Sequence, residues 1–417
     1  MNNPKLLDNI STLYRVPSDS GQGNVDAIND AALVWHGEKI LWSGPVAKLP
    51  AEFSETEAID ARGGCVIPGL IDCHTHLCFG GWRGDEFAAR LEGKSYQEIQ
   101  AAGGGITSTV ARTRAADLEE LEKKADFALK EMAALGVTTV EAKSGYGLSL
   151  DDEIKQLEVY RRLNAIQPLE LVPTCLGAHL VPPDYADRRE AYVDLLCNEL
   201  IPRVAEDGLA RFCDVFIEQG AFTLAEGRRI LETARSHGLG LKIHADQLST
   251  GGGAGLAAEL GAVSAEHLEY ASDEDMTAMA RAGTVAVSLP IASLYLREPY
   301  LPARQWIESG AQVAVATDFN PGSAPSYHLP LAMTLACLNQ QMSPAEVLKA
   351  TTSIAARAVG LEKTHGSLLP GYQADFAIID APDINHWLYH FRPNACVSTY
   401  KRGCRLRSHI KHGPSAA

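Results

Sequence analysis

Val66-Ile67-Pro68-Gly69-Leu70-Ile71-Asp72-Cys73-His74-Thr75-His76-Leu77-Cys78-Phe79 sets the architecture of this chain. An apolar run ends in an acid and then in two imidazoles one residue apart. On an extended segment alternate side chains share a face, so His74 and His76 project together from the end of a buried strand. Two imidazoles on one side of a strand end make half a metal site. A His-x-His on a surface turn is the competing reading, and the rest of the chain has to separate the two.

Outward from that stretch, residues 64 to about 360 alternate short apolar runs with helical patterns. Eight runs read as strands: 66–72, 137–142, 170–177, 212–218, 240–245, 262–266, 284–289 and 312–317. Each is largely continuous, as expected for parallel strands covered on both faces. Helix signals fall between them. Asp117 with Glu120 makes an N-terminal capping pair, Leu118, Leu121, Ala125, Leu129, Met132 and Leu135 form an apolar stripe, and Gly136 ends the helix. Thr223 with Glu226 opens another helix, ending near Gly238. Ser343, Pro344 and Glu346 open a third, with Gly360 as its stop. The alternation predicts an α/β fold, a (β/α)8 TIM-like barrel over 64–360, in preference to an open doubly wound sheet. Residues 1–63 and 361–417 carry β-like pieces (31–35, 40–42, 374–379 and 395–400) cut by Gly and Pro turns. They predict one small composite β-sandwich module built from both chain ends.

In such a barrel functional residues gather where the strands end. The positions just after the runs are His74 and His76; Lys143, Ser144, Gly145 and Tyr146; His179; Glu218 and Gln219; His244, Asp246 and Gln247; Glu266 and His267; Thr317, Asp318 and Asn320. Isolated structural histidines do not account for such a rim. Three neutral imidazoles with one carboxylate suit Zn²⁺ or iron, whereas Mg²⁺ and Ca²⁺ prefer all-oxygen sites. His74, His76, His244 and Asp318 are the ligands we assign, with room for a water. Such an ion moves the pKa of a water toward roughly 7. Asp318 can take the water's proton and pass it to a leaving nitrogen. His267 can polarise a carbonyl or hold an oxyanion.

Formal charge is −15, from 37 basic and 52 acidic residues, which argues against a general nucleic-acid binder. The nine cysteines are scattered and include no C-x-x-C pair, against a disulfide framework or a cysteine zinc site. No basic segment followed by an apolar core opens the chain, and no run of about 20 apolar residues appears. A cytoplasmic protein with no membrane or nucleic-acid partner is the expectation. Gly253-Ala254-Gly255-Leu256-Ala257-Ala258 fits a loose G-x-G-x-x-A pattern, but it lies well past the strand end and reads as a rim loop.

The opening P-G-L-I-D-x-H-T-H, the later histidines and Asp318 together resemble the amidohydrolase superfamily of metal-dependent hydrolases. Six segments resemble the imidazolonepropionase family more closely: 79–87, 103–110, 143–148, 176–182, 244–249 and 317–323. The resemblance implies hydrolysis of the cyclic amide of 4-imidazolone-5-propanoate to N-formimino-L-glutamate, in histidine degradation. It implies one divalent or trivalent metal ion per subunit, zinc or iron, on His74, His76, His244 and Asp318. It places substrate contacts on Arg83, Tyr146 and His179, with Asn320, Gly322 and Ser323 near the product carboxylates and Tyr96 as a further candidate. A homodimer is the expected assembly. Arg83 can pair bidentately with a propionate carboxylate. Some members carry Glu where this chain has Gln247, and an amide orients substrate but shuttles no proton. Lys143 matches the strand-end lysine that, carboxylated, bridges two metals in related hydrolases; one ion, and a structural Lys143, is the expectation here. Another cyclic amidase, a nucleobase deaminase, or a scaffold without catalysis are the alternatives.

Overall fold

Two sheets organise the residues that the computed structural model describes, 3–94, 98 and 104–406. The strands are β1 (Lys5–Tyr14), β2 (Ala27–His36), β3 (Lys39–Pro45), β4 (Ala58–Asp60) and β5 (Cys65–Pro68), followed by β6 (Leu70–Asp72), β7 (Val137–Lys143), β8 (Glu170–Ala178), β9 (Phe212–Ile217), β10 (Gly240–Ala245), β11 (Ser264–His267), β12 (Val285–Ser288) and β13 (Val313–Val315), and last β14 (Phe376–Ile379), β15 (Cys396–Lys401) and β16 (Cys404–Arg405). β6 to β13 pair in sequence order, all parallel, with helices between them. Closure comes just past the strand ends. Thr75 bridges Phe319, His76 N–H donates to Phe319 O at 2.9 Å and Asp318 N–H to His74 O at 3.1 Å. The expected barrel is therefore present, and the bonds that close it run through the residues expected to hold a metal.

The remaining strands form one mixed sheet, β16-β15-β14-β5-β1-β2-β3, with β4 on β1. Both chain ends contribute to it, as expected. It bends until Ile40 N–H meets Tyr372 O at 3.0 Å and Lys39 bridges Gln373. Its own core packs Trp35 edge-on to Phe376 and Tyr400, whose rings stack at 4.3 Å. Burial of these large rings supplies the module with an apolar core separate from the barrel's.

Two expected elements are divided. The run read as one strand, 66–72, is β5 and β6 with Gly69 between. Gly69 N–H donates to Asp375 O in the module, and Leu70 N–H to Gly136 O in the barrel, each at 2.9 Å. The strand changes sheets at that residue, which an apolar run cannot reveal. The helix opened by Ser343 and Pro344 stops at Ala350, and a second spans Ser353–Ala358. The break turns the Thr351 carbonyl to accept from Ile71 N–H at 2.9 Å, so a barrel strand takes the bond that would have continued the helix. The other two helices follow their signals: Leu118–Ala134 is capped by Asp117, and Leu224–Ser236 carries a reciprocal capping box between Thr223 and Glu226. β1 was not expected. Asp8, Asn9, Ser11 and Thr12 interrupt its apolar pattern, and a bulge between Leu7 and Ile10 puts Asn9 at φ 52°.

Candidate metal centre and active site

β6, β10 and β13 end at one point on the barrel rim. The Nε2 atoms of His74 and His76 each lie 3.4 Å from Asp318 Oδ1, and His244 Nε2 lies 3.4 Å from His76 Nε2. All four side chains are buried. His74 Nε2 has no hydrogen-bond partner among the described residues. Burial holds the histidines neutral: His76 is pushed down to about 3, and His74 and His244 fall well below the ordinary imidazole value. Converging lone pairs on neutral nitrogens beside a carboxylate fit a borderline cation with N/O ligands. His244 Nδ1 faces Asp214 Oδ2 at 3.0 Å. The approach lacks hydrogen-bond geometry; the bond that ties His244 to Asp214 is donated by its backbone N–H to Oδ1 at 3.2 Å. Asp318 sits at φ 56°, a left-handed conformation held by its N–H bond to His74 O. The Asn320 amide donates to Asp318 O at 2.7 Å, and Thr317, next to Asp318, is anchored by N–H and hydroxyl donation to Asp72.

Beneath the ligands the barrel interior is charged. Lys143 Nζ donates to Glu141 at 2.8 Å and to Asp214 at 2.7 Å, and Lys242 Nζ lies 3.3 Å from Glu266. Asp214, His244 and Glu266 are close enough to hold a second ion. Lysine ammonium groups already occupy both of those carboxylates. Burial alone would lower Lys143, but Asp214 and Glu141 outweigh it and raise its pKa, which favours the ammonium form. Glu141, Asp214 and Lys242 were missed as site residues. For Glu141 and Lys242 a signal was present: 139/141/143, 242/244 and 264/266 follow the period of two that points every second side chain into a barrel.

A cavity of about 190 Å³ opens above the ligands, lined by His76 and His244 and by every other expected site residue except His74, which is fully buried, and Tyr96, which lies outside the described residues. Tyr146 and His179 stand beside the ligands, with ring centres 5.7 and 5.2 Å from His76. The loop that carries Tyr146 is held by one buried acid: Glu153 accepts from the N–H groups of Gly145, Gly147 and Leu148 at 2.8–3.0 Å. His179 Nδ1 lies 3.0 Å from Gly145 O, which can only accept, so Nε2 carries the free lone pair. His267 is buried, at φ 73°, and its pKa is pushed down to about 3 by burial. Asn320 Oδ1 accepts from Gly322 N–H and Ser323 N–H at 2.7 and 2.8 Å, a tight turn against the guanidinium of Arg83. Arg83 is fixed by Nε donation to Thr109 Oγ1 at 2.8 Å. Gln247 lines the cavity from a loop that Glu218 holds through Leu248 N–H. Arg90, Glu86, Ile106, Phe216 and Leu296 complete the wall and were not expected there.

The amidohydrolase family model matches residues 65–406. A curated imidazolonepropionase from Symbiobacterium thermophilum is 54% identical over 381 residues, 90% of each chain. The imidazolonepropionase of Alkaliphilus metalliredigens is 44% identical over 95% of this chain and 96% of its own length. The chain belongs to the imidazolonepropionase family of amidohydrolases. Membership makes it a hydrolase acting on C–N bonds, in a metal-dependent family, with a histidine-rich candidate metal site of its own. Solved structures share the fold at low identity. Escherichia coli guanine deaminase matches with TM-score 0.73 at 13% identity, covering 98% of this chain and all of its own. A triazine hydrolase from Arthobacter aurescens matches with TM-score 0.73 at 18%, covering 97% and 95%. No described helix is long and apolar enough to cross a membrane.

Proposed function

We propose that this protein hydrolyses the ring amide of 4-imidazolone-5-propanoate to N-formimino-L-glutamate, with one zinc or iron ion on His74, His76, His244 and Asp318. What carries the reading is one cavity that joins a His/Asp ligand set to Arg83, in a chain whose family relatives bear that name over most of their length. The ion, when bound, supplies Lewis acidity for activating water and polarising the ring carbonyl. Arg83 takes the propionate carboxylate with its two terminal nitrogens, its Nε being engaged by Thr109. His179 Nε2 and the Tyr146 hydroxyl hydrogen-bond the flat ring and set its carbonyl over the ligands. His267, neutral, donates an N–H to the oxygen on which charge develops. Asp318 accepts a proton from the attacking water and delivers it to the ring nitrogen as the C–N bond breaks. Burial lifts its carboxyl to about 6 before any ion is added. Asn320, Gly322 and Ser323 receive the new carboxylate. Gln247 orients the substrate.

We place the protein in the cytoplasm, on the sequence expectation above, and as a homodimer, on the family resemblance. The test of function is product identification. Purified protein with fresh imidazolone propionate is expected to give N-formimino-glutamate, and neutral substrates such as guanine or adenosine are expected to be left unchanged. Deamination of a neutral base without turnover of the imidazolone would replace this substrate with another.

A further inference from the structure

The helix Gly84–Leu91 presents charge to the cavity where a helix against a pocket ordinarily presents apolar side chains. Arg83, at its N-cap, Glu86 and Arg90 all line the cavity. Their spacing of three and then four residues puts them on one stripe. None of the helix's own residues is buried, and its apolar Phe87 and Leu91 are exposed. Charge thus faces the pocket while apolar groups face solvent. Glu86 is already used, accepting from Gly105 N–H at 2.9 Å. Arg90 is not. Its guanidinium lies 4.8 Å from the centre of the Tyr295 ring, and its one hydrogen bond among the described residues is a 3.5 Å contact to Gly322 O.

Gly322 is where the two arginines meet. A Cβ there would stand 2.5 Å from Arg83 Nη1, so the absent side chain admits that guanidinium, while Arg90 reaches the same residue's carbonyl. Several other arginines pair with acids, among them Arg189 with Glu226, Arg228 with Glu259 and Arg304 with Glu346. Among the described residues no carboxylate lies within ion-pair distance of Arg83 or Arg90. Two guanidinium groups with no acid beside them among the described residues, on one wall of the cavity, are equipment for an anion. The cation–π contact with Tyr295 holds the Arg90 guanidinium by its face and leaves N–H groups for a ligand.

We propose that Arg90 is a second anion-recognition residue, which clamps the substrate's carboxylate together with Arg83 and sets the preference for a carboxylate-bearing ring over a neutral one. This rests on the substrate class proposed above. The test uses metal-loaded wild-type protein, Arg90→Met and Arg90→Lys, with two probes: 3-(imidazol-4-yl)propanoate and 4-propylimidazole. They share the ring and differ in the carboxylate. Calorimetric Kd values are expected to show that wild type prefers the carboxylate probe. In Arg90→Met that preference falls about ten-fold or more, the worth of a charge-assisted hydrogen bond. Affinity for 4-propylimidazole stays within about two-fold, since Arg90 contributes to it only packing. Arg90→Lys, which keeps the charge and loses the fork, falls between. With imidazolone propionate, KM rises more than kcat falls. Parallel changes with both probes, no change with either, or no preference in wild type would overturn the clamp. If Arg90→Met does not fold, Arg90→Lys and Arg90→Gln carry the same comparison. A wild type that prefers the carboxylate probe yet leaves imidazolone propionate intact removes the substrate and keeps the clamp. One that turns over the substrate while Arg90→Met keeps the full preference removes the clamp and keeps the function.

Discussion

Gln247 lies three residues beyond His244 and lines the cavity. Because its amide cannot carry a proton, Gln247→Ala is expected to raise KM more than it lowers kcat in steady-state assays. A large kcat loss at unchanged KM would give it a part in the chemical step. Lys143 holds together Glu141 and Asp214, all fully buried. Lys143→Met removes the compensating charge from two buried acids. It should cost about 3–5 kcal/mol in denaturant unfolding and disturb His244 through Asp214. If the variant is as stable as wild type and wild type holds two ions per chain, Lys143 is a metal bridge instead. At this scale the candidate ligand cluster was legible, because imidazoles and a carboxylate immediately after apolar runs are hard to explain otherwise. Asp214 was not: an acid inside a β-run reads as an exposed interruption unless both barrel neighbours are known. Arg90 was hidden for a related reason, since its role depends on where a helix lies and not on a strand end.

Helix starts were the most legible elements, because capping is local. Thr223 accepts from Glu226 N–H, and Glu226 accepts from Thr223 N–H at 2.8 Å and pairs with Arg189. Hydrogen bonding from Arg189 is the largest cause holding the Glu226 carboxyl down, at about 2. Thr223→Ala is expected to lose about 1 kcal/mol of stability, read as a lower denaturation midpoint at unchanged slope. Loss of activity without that shift would move the residue from cap to site. Elements whose ends are set by distant partners were less legible. β5 and β6 part at Gly69 because two different sheets claim adjacent N–H groups, and the helix beginning at Pro344 ends early because Ile71 claims the Thr351 carbonyl. Those partners lie far along the sequence, outside any local window.

For the whole molecule, the barrel and the end-built sheet meet through a buried charged cluster. Glu170 on β8 lies 3.0 Å from His365 Nε2 and 3.3 Å from Lys401 Nζ on β15, and Lys401 also pairs with Asp375 at 2.7 Å. The hydrogen bond from His365, then Lys401, holds the Glu170 carboxyl well below its ordinary 4.5. A depressed folded-state pKa stabilises above the unfolded value and is lost as pH falls below it. The stability gap between wild type and Glu170→Gln should therefore be widest near neutrality, begin to narrow below about pH 4.5 and go on narrowing toward the depressed folded-state value. A gap constant from pH 7 to 3 would show that the carboxylate contributes nothing there. We propose two units, residues 1–63 with 361–417 and residues 64–360. β5 then belongs to the barrel segment by sequence, although its hydrogen bonds go to β1 and β14. The barrel was legible from eight recurring apolar runs with helical patterns between them. The sharing of one sheet by both termini was legible only as composition, because pairing across some 300 residues leaves no local trace.

The most direct test of the central claim is turnover against metal content. Stripped protein would be titrated with zinc or iron(II), and N-formimino-glutamate formation followed with imidazolone propionate as substrate. Activity rising linearly and levelling at one ion per chain, with none in stripped protein or in His244→Ala, is the expected result. Full turnover by stripped protein, or a break at two ions, would contradict a single ion held by His74, His76, His244 and Asp318.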